Sequence, residues 1–266
     1  MIHATAIIDP SAKLAADVSV GPYSVIGPEV EIGAGTTVGS NALIAKNTKI
    51  GKGNIIYSYA SLGNDSQDLK YKGGEAWLHI GDHNTFREFC TINRGSGGSD
   101  ITLIGDHNLF MSYTHVAHDC RVGNYVVFSN LATLAGHIQV DDYAIIGGGA
   151  VVHQFCNIGA HSFIGGAAGL GQDAMPYVIF HGVPAYPISV NLVGLRRHGF
   201  SESAIEHIRH AYRILFRRGN KLEDAREELI KMVPACPEIQ LMIDAIDRSQ
   251  RGIARRSRSS KEESAQ

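Results

Sequence analysis

Residues 18–39, VSVGPYSVIGPEVEIGAGTTVG, contain a six-residue repeat in which an aliphatic side chain is followed directly by glycine. Over residues 2–62 the aliphatic position recurs at every sixth residue without a break. The same phase resumes at Ile80, and over residues 104–170 every sixth residue is aliphatic or phenylalanine. Runs of this length at a fixed period indicate that the chain is built from stacked structural repeats.

The spacing of the inward positions predicts short strands joined by tight corners. The residue two places before each aliphatic one is mostly small, and an extended chain turns every second side chain to the same side. Three such sides would close a triangular coil of 18 residues, and successive coils would stack as parallel sheets about 4.8 Å apart. The glycine after each aliphatic residue predicts a corner with positive φ. A helix fits poorly, because six is not a multiple of 3.6 residues per turn.

Two segments interrupt the repeat and are predicted insertions. Residues 63–79 are polar and glycine-rich and hold the single tryptophan, and residues 94–103 are rich in glycine and serine. Loops on a rigid scaffold often carry function, so both segments are candidates for a role in a site.

The chain changes character after Leu170, where the repeat ends. Prolines predict an irregular segment up to Pro187, and Ser201 predicts the start of a helix that runs to about Arg218. Further helices are expected over residues 221–232 and 237–252. The predicted organisation is a parallel β-helix over residues 1–187, an α-helical C-terminal domain over 188–253 and a disordered tail over 254–266.

The formal net charge of −2 hides a basic C-terminal quarter. Residues 1–190 carry 9 Lys and Arg against 15 Asp and Glu, whereas residues 191–266 carry 15 against 11. This excess is too interspersed with acids for nucleic-acid binding, but it suits an acidic protein partner or an anionic small molecule. Because the chain lacks an apolar run of roughly 18 residues and a secretory signal, we expect a cytoplasmic protein without a membrane span.

Three of the four cysteines fall in the small inward column of the repeat, at Cys90, Cys120 and Cys156. A nucleophilic or metal-binding cysteine needs exposure and a partner, so this phase predicts core packing instead. Free buried thiols also agree with a reducing compartment.

Four histidines lie outside the inward columns and concentrate on one wall of the predicted prism. His118 and Asp119 belong to the stretch THVAHDC at residues 114–120. Because one coil holds 18 residues, His118, Gly136 and Gln154 would stack on three successive coils that span about 10 Å. The wall therefore gathers His115, His118, Asp119, His137, His153 and Gln154.

The residues alone leave three interpretations of this wall open. Neutral imidazoles could form a three-histidine zinc site with an open water position, as in trimeric γ-type carbonic anhydrases. Alternatively, Asp119 could orient His118 as a general base that activates a hydroxyl or an amine to attack an acyl group. The N–H of Gly136 would then serve as an oxyanion donor. The third interpretation is a set of solvated surface histidines.

Over residues 1 to about 253 the chain resembles the UDP-N-acetylglucosamine O-acyltransferase family of lipid A biosynthesis. That family implies a left-handed parallel β-helix of hexapeptide repeats, although right-handed crossovers are the general preference. The first insertion, the histidine wall and the C-terminal segment all contribute to the resemblance. The motifs that carry it are SLGNDSQDLKYKGG, INRG, HVAHDC, LATLAGH, VDDYAIIGG, VHQFCNIGAHSFIGG and VNLVGLRRHGF.

The resemblance implies a homotrimer with active sites between subunits. It implies transfer of an (R)-3-hydroxyacyl chain from acyl carrier protein to the 3-hydroxyl of UDP-N-acetylglucosamine, with His118 as general base, Asp119 as its partner and Gly136 as the oxyanion amide. The carrier-protein thioester is the donor, so no cofactor or metal is expected. The implied substrate contacts are Asp68 and Lys70, Gln67 for the acyl chain, His115 and Gln154 for the sugar, His137 near the acyl group, and His153, Asn191 and Arg197 for the nucleotide.

The chain departs from the family pattern at two positions near the implied nucleotide contacts. Val193 stands where an acidic residue is common, and His198 stands where a second arginine is common. Gly166 matches a position at which a bulkier side chain limits acyl length in relatives, so its small size predicts room for a longer chain.

Three alternatives to this assignment were considered. An N-acyltransferase of the same fold would carry an extra N-terminal domain, whereas the repeat here begins at Ile2. A γ-type carbonic anhydrase would bind zinc at the histidine wall. A non-enzymatic scaffold or ice-binding prism would need a flat repeated threonine face, which no outward column of the repeat provides.

Overall fold

The structure, a computed structural model of the protein, describes residues 1–97 and 101–255. Within these residues the repeat forms short strands, most of which contain two residues. The strands are β1 (Ile7–Ile8), β2 (Lys13–Leu14), β3 (Ser19–Val20), β4 (Val25–Ile26), β5 (Glu31–Ile32), β6 (Thr37–Val38), β7 (Leu43–Ile44), β8 (Thr48–Ile50), β9 (Ile55–Ile56), β10 (Ser61–Asn64), β11 (Trp77–Ile80), β12 (Thr85–Phe86), β13 (Thr91–Asn93), β14 (Ile101–Ile104), β15 (Leu109–Phe110), β16 (His115–Val116), β17 (Arg121–Val122), β18 (Val127–Phe128), β19 (Thr133–Leu134), β20 (Gln139–Val140), β21 (Ile145–Ile146), β22 (Val151–Val152), β23 (Asn157–Ile158), β24 (Phe163–Ile164), β25 (Gly169–Leu170), β26 (Val178–His181) and β27 (Tyr186–Val190).

The strands stack into three sheets that form the walls of a left-handed parallel β-helix, as predicted. The first sheet takes every third strand from β1 to β25, and the second takes every third strand from β2 to β23. The third sheet takes every third strand from β3 to β24 and then adds β26 and β27. Paired residues are 18 positions apart where no insertion intervenes, as in the pair Ile7 and Val25. Ser61 pairs with Thr91, 30 positions on, and Thr91 pairs with His115, 24 positions on, because the insertions lengthen these coils.

Both insertions leave the prism at the same corner. We call the corner between the first and second sheets the first corner, that between the second and third sheets the second corner, and that between the third and first sheets the third corner. The segments β10–β11 and β13–β14 each connect the first sheet to the second. Because β11 begins at Trp77 and β14 at Ile101, the predicted limits 63–79 and 94–103 were too wide. Residues 98–100 lie outside the described residues.

The aliphatic column of the repeat fills the interior of the prism. Phe86, Phe110 and Phe128 stack on one another with ring centroids 4.8 and 4.7 Å apart, and all three are fully buried. Burying one such ring contributes about 1.5–3 kcal/mol, and each stacked pair adds about 0.5–1.5 kcal/mol. The cysteines predicted to pack in the core, Cys90, Cys120 and Cys156, are buried free thiols, which confirms their assignment.

The inward position two residues before the aliphatic one is mostly a small residue, but on three successive coils it is an asparagine. These residues are Asn54, Asn84 and Asn108. The side-chain oxygen of Asn54 accepts from the Asn84 N–H at 2.9 Å, and that of Asn84 accepts from the Asn108 N–H at 2.9 Å. Their amide groups donate to the carbonyls of Gly81, Gly105 and Gly123. These buried polar groups are thus satisfied by hydrogen bonds between coils.

The prediction that the repeated glycines adopt positive φ is wrong. Positive φ falls two residues later, and non-glycine residues such as Tyr125 and Tyr143 occupy most of these sites with φ of 55° and 60°. Left-handed backbone costs roughly 1–2 kcal/mol per residue, and ring stacking along the corner at 4.9 Å offsets part of it. The repeated glycines serve close stacking instead. A Cβ on Gly33 would lie 2.7 Å from the carbonyl carbon of Gly51 in the next coil.

The segment after β25 is more regular than predicted. β26 pairs parallel with β24 and antiparallel with β27, so the region up to Pro187 contains strands, and β27 crosses the predicted domain limit at 187.

Ser201 caps its helix as predicted, because its hydroxyl accepts from the Ala204 N–H at 3.1 Å. The helices are α1 (Leu192–Arg197), α2 (Glu202–Phe216), α3 (Leu222–Met232) and α4 (Gln240–Arg248), with a 3₁₀ turn at Pro237–Ile239.

The helical end is anchored to the prism. Arg248 of α4 donates to the carboxylate of Asp141, and the Ala254 N–H donates to the Asp173 carbonyl at 2.9 Å. Ala254 is therefore ordered and buried, in contrast to the predicted start of a disordered tail, and residues 256–266 lie outside the described residues. Among the helices that the structure describes, none has the length and apolar character that crossing a membrane requires.

The stacking glycines generate a stability prediction. Gly33→Ala should destabilise the protein by about 1–3 kcal/mol, because the new methyl group meets the backbone of the next coil. The matched control is Gly171→Ala, whose added Cβ would meet nothing within 4 Å. Thermal unfolding at one protein concentration measures both variants. Equal midpoints for the two variants would contradict the close-stacking role of the glycine.

Candidate active site

His118 and Asp119 meet at the first corner, just after β16. Neighbouring side chains in a strand point to opposite sides, but Asp119 has a φ of 61°, which turns the chain. The two side chains therefore lie together, with His118 Nδ1 2.6 Å from Asp119 Oδ2. Asp is among the few residue types that tolerate this backbone conformation.

The surroundings of Asp119 favour its ionised form. Burial alone would raise the pKa of Asp119, but hydrogen bonds from His118 and from the Ser96 N–H at 3.0 Å outweigh it, so that the pKa is lowered. His137 Nε2 lies 3.6 Å from the same carboxylate. An ionised Asp119 places the His118 proton on Nδ1, which leaves Nε2 of His118 free to accept a proton.

Gly136 lies directly against the His118 ring on the next coil. A Cβ at this position would be 2.6 Å from His118 Cε1 and 2.7 Å from Nε2, so only glycine fits. At equivalent positions of the second corner the N–H bonds a side chain of the next coil, as Asn124 bonds Asp142 at 2.8 Å. Within the described residues, the Gly136 N–H has no such acceptor, and the residue is buried.

His115 and His137 flank this pair. The His137 ring packs edge-on against His118 at 5.1 Å and stacks on Phe155 at 4.7 Å. His115 Nδ1 is hydrogen-bonded to Thr91 Oγ1 at 2.7 Å, and burial, with a further contribution from His118, lowers the pKa of His115. His115 is therefore neutral near pH 7 and adds no positive charge to the site.

His153 and Gln154 lie two coils from His118 on the same wall. Both are exposed, and His153 Nδ1 approaches the Gln154 carbonyl at 3.1 Å. The Phe155 N–H donates to the Gly136 carbonyl at 3.1 Å, and this bond keeps the coil of Phe155 in register with the coil of Gly136. The structure thus brings the wall residues together as the 18-residue spacing predicts, although His118 itself is largely buried and does not stand free in solvent.

The predicted residues of the first insertion lie on an exposed turn that leaves the first corner. The Asp68 carboxylate accepts from the Lys70 N–H at 2.9 Å, and Gln67, Asp68 and Lys70 are all exposed. In the part of the chain that the structure describes, no hydrogen bond or ion pair links these three side chains to His118.

The remaining predicted residues lie at other corners. Gly166 is exposed at the third corner, and a Cβ there would meet only the Gly148 carbonyl, at 3.4 Å. Asn191 caps α1 near the second corner and donates to the His161 carbonyl at 2.9 Å. Arg197 is exposed and, among the described residues, makes no hydrogen bond or ion pair. One protomer therefore does not gather all the predicted residues in one place.

The two positions that depart from the family pattern lie near Asn191. Val193 is 69% exposed, whereas His198 packs against the rings of His161 and Tyr143. Burial, together with the charge of Arg197, lowers the pKa of His198. His198 therefore contributes a neutral ring at pH 7 and not the charge of a second arginine.

Sequence reasoning did not single out the residues that hold the insertions in place. Arg94 is fully buried and binds the Gly63 carbonyl at 2.7 Å as well as the carboxylate of Asp65. The Ser96 N–H binds Asp119. The only signal was an arginine inside a glycine- and serine-rich segment, where a buried charge is not expected.

A metal ion is the alternative occupant of this cluster. Ligand atoms of His118, Asp119 and His137 lie within 4.8 Å of one another among the described residues. However, two ligands of a tetrahedral zinc ion lie roughly 3.3 Å apart, given bonds of about 2.0 Å. The 2.6 Å between His118 and Asp119 is the distance of a hydrogen bond, so a metal would have to separate this pair.

Comparison with known proteins places these features in a family. The family described as UDP-N-acetylglucosamine O-acyltransferase, domain 2, matches residues 173–254. The acyl-[acyl-carrier-protein]–UDP-N-acetylglucosamine O-acyltransferase of Halorhodospira halophila is 50% identical over 255 residues, which cover 96% of this chain and 99% of the relative. The protein of the same name from Pseudomonas paraeruginosa is 49% identical over 256 residues, with the same coverage.

Solved structures agree with these relatives. The UDP-N-acetylglucosamine O-acyltransferase of Moraxella catarrhalis matches with a TM-score of 0.93 and 46% identity, covering 96% of this chain and 99% of its own. The UDP-N-acetylglucosamine acyltransferase of Francisella novicida matches with a TM-score of 0.93 and 38% identity, covering 98% and 96%. Because the similarity extends over almost the whole chain, the protein belongs to the acyl-[acyl-carrier-protein]–UDP-N-acetylglucosamine O-acyltransferase family and is an acyltransferase.

Proposed function

We propose that this protein transfers an (R)-3-hydroxyacyl chain from acyl carrier protein to the 3-hydroxyl of UDP-N-acetylglucosamine, the first step of lipid A biosynthesis, in the cytoplasm. The observation that carries the proposal is the His118–Asp119 pair packed against Gly136, whose N–H has no hydrogen-bond partner among the described residues. The relatives' names supply the two substrates, and this arrangement supplies a base and an oxyanion donor for acyl transfer to a hydroxyl.

In the proposed reaction, His118 Nε2 takes the proton of the sugar hydroxyl while its oxygen attacks the thioester carbonyl carbon. Asp119 stabilises the imidazolium that forms, and the Gly136 N–H donates to the oxyanion of the tetrahedral intermediate. When the intermediate collapses, the carbon–sulfur bond breaks, and the carrier thiolate takes the proton from His118. The products are the sugar ester and the free carrier thiol, so no co-reactant is required.

Direct transfer fits the state of the nearest cysteine. Burial raises the pKa of Cys120 to about 12, so its thiol stays protonated near neutral pH. Its sulfur points inward, where it interacts with the Ala135 carbonyl at 3.1 Å. An acyl-enzyme intermediate on Cys120 is therefore unfavourable, because the thiolate is the nucleophilic form.

The distribution of the predicted residues supports a homotrimer with sites between protomers. His118 lies at the first corner, Gly166 at the third and Arg197 near the second, so one site needs corners from more than one copy. The third corner also exposes a stack of Tyr59, Phe89 and Tyr113, with centroids 5.2 and 4.8 Å apart. Exposed apolar patches of this kind mark protein interfaces.

Roles for the remaining residues are those that the family resemblance implies, placed on the positions seen here. His115 and Gln154 would bind the sugar beside His118, and His137 would lie near the acyl group. The exposed turn at residues 67–70 would contact the substrates through Gln67, Asp68 and Lys70. Arg197, which has no ion-pair partner among the described residues, carries a charge suited to a diphosphate, with His153 and Asn191 near the nucleotide. With a neutral His198, nucleotide binding would depend on Arg197 more strongly than in relatives with two arginines.

His118→Ala should reduce kcat for acyl transfer by about 10²–10⁴, the usual contribution of a positioned general base. An assay with UDP-N-acetylglucosamine and hydroxyacyl carrier protein measures this. His207→Ala is the matched control, because His207 is a partly exposed residue of α2 that, among the described residues, is hydrogen-bonded to Ser203 of the same helix. Wild-type turnover by His118→Ala would rule out the base assignment. Offering an amino analogue of the sugar in parallel tests the N-acyltransferase alternative.

Metal analysis and chelation test the carbonic anhydrase alternative. If His118 acts as the base and Asp119 orients it, neither residue needs a metal ion. Acyl transfer should therefore be unchanged after exhaustive chelation. The measurement combines the zinc content of the purified protein with turnover before and after chelator. Stoichiometric zinc together with activity that chelation removes and zinc restores would contradict the metal-free mechanism.

The open space at Gly166 predicts the accepted acyl length. The wild-type protein should transfer longer hydroxyacyl chains than relatives that carry a bulkier side chain at this position. Gly166→Met should favour donors that are shorter than those of the wild type by at least one two-carbon unit. Mass spectrometry of the products from mixed donors measures the change. Gly171→Met serves as control, since Gly171 is also surrounded by open space. A wild-type enzyme that transfers only short chains from the mixture would refute the prediction.

A further inference from the structure

Four consecutive residues, 93–96, connect the first insertion to the carboxylate that orients His118. We call this segment the brace. The Asn93 amide donates to the Asp65 carbonyl at 2.7 Å, and the Gly95 N–H donates to the Trp77 carbonyl at 3.1 Å, so both ends of the insertion are held. The last residue of the brace donates its N–H to Asp119 at 3.0 Å. The brace therefore contacts both the residues that flank the exposed turn and the carboxylate of Asp119.

Arg94 is the central residue of the brace. Its side chain is only 2% exposed, and it ranks among the largest fully buried side chains of the described chain. One guanidinium nitrogen donates to the Gly63 carbonyl at 2.7 Å, and another contacts the Asp65 carboxylate and the Tyr71 hydroxyl. Burying a guanidinium is costly unless its partners are well placed, so these contacts lock the start of the insertion tightly.

The contacts of Arg94 define the turn that presents Asp68 and Lys70. The Tyr71 hydroxyl donates to the Asp65 carboxylate at 2.8 Å, and the Tyr71 N–H donates to the Asp68 carbonyl at 2.9 Å. Asp65 and Tyr71 thus bracket the turn on either side, and the guanidinium joins both residues. The turn itself is exposed and has little packing of its own, so its position depends on this buried junction.

We propose that Arg94 is a positioning residue that holds Asp68 and Lys70 at a fixed place relative to the His118–Asp119 pair. The proposal rests on the proposed function, in which that turn binds substrate. Arg94 itself touches neither the reacting atoms nor the base. It acts through the turn, because its charge-assisted bonds to Gly63 and Asp65 set the path of the insertion from its first residues.

Tyr71→Phe and Arg94→Lys test the proposal at two levels of severity. Tyr71→Phe removes one hydroxyl from the junction, and Arg94→Lys keeps the charge but loses the fork that reaches two acceptors. Each should raise KM for UDP-N-acetylglucosamine about tenfold or more, with kcat changed less than about threefold. Arg226→Lys is the control, because Arg226 is a partly exposed arginine of α3 that is paired with Asp247 of α4, away from the prism corners.

A double-mutant cycle separates positioning from general destabilisation. In a Lys70→Ala background, Tyr71→Phe should have little further effect on KM, because the group that it positions is already missing. Additive losses in the cycle, or an unchanged KM in both single variants, would overturn the proposal.

Hydrogen–deuterium exchange supplies a readout that needs no activity. Residues 64–72 should exchange faster in both variants, while the prism strands exchange as in wild type. Unchanged exchange of the turn would overturn the role of Arg94. A wild-type protein that acylates no UDP-N-acetylglucosamine would instead overturn the proposed function, and the exchange experiment would still report on the junction.

Discussion

The stacking of each coil on the next, 18 residues further along the chain, is the constraint on which the rest of the structure depends. Every wall of the prism repeats the same backbone bonds, such as Gly33 N–H to the Ile50 carbonyl at 2.8 Å. Each bond contributes only about 0.5–1.5 kcal/mol, but a coil can neither shift nor rotate without breaking several of them. The repeat therefore fixes the distance and the direction of each side chain relative to those one coil away.

This rigidity explains how two adjacent residues, His118 and Asp119, can form a hydrogen-bonded pair. Ordinary strand geometry would separate His118 from Asp119, but most corners of the prism contain a left-handed residue, and here that residue is Asp119. The same stacking places Gly136 against the imidazole without room for a Cβ. The pair is thus held by backbone geometry that the whole prism shares, and it needs no dedicated supporting loop.

The two insertions are held in place by a different principle. They are not part of the stacking, so a buried charge network has to hold them, and Arg94 provides its centre. The remaining candidate residues, Gly166 and Arg197, lie at the other corners. A rigid prism cannot fold these corners together, and only contact between copies could combine them. The proposed trimer would in this sense be a consequence of the stiffness of the fold.

The sequence by itself determined the architecture, because a six-residue period leaves few ways to bury one aliphatic side chain per repeat. It also determined that the cysteines pack inside and that His118, Gly136 and Gln154 share a wall, since these depend on phase alone. The match of the motifs to a known family identified the chemistry.

Only the tertiary structure decided which backbone positions turn left-handed, since coil geometry imposes that demand on tyrosine and histidine as readily as on glycine. It also revealed the strands β26 and β27, whose prolines had suggested an irregular segment. The role of Arg94 could not be predicted from sequence, because its partners Gly63, Asp65 and Tyr71 are more than 20 residues away. Such contacts depend on where the insertions fold, which no local pattern encodes.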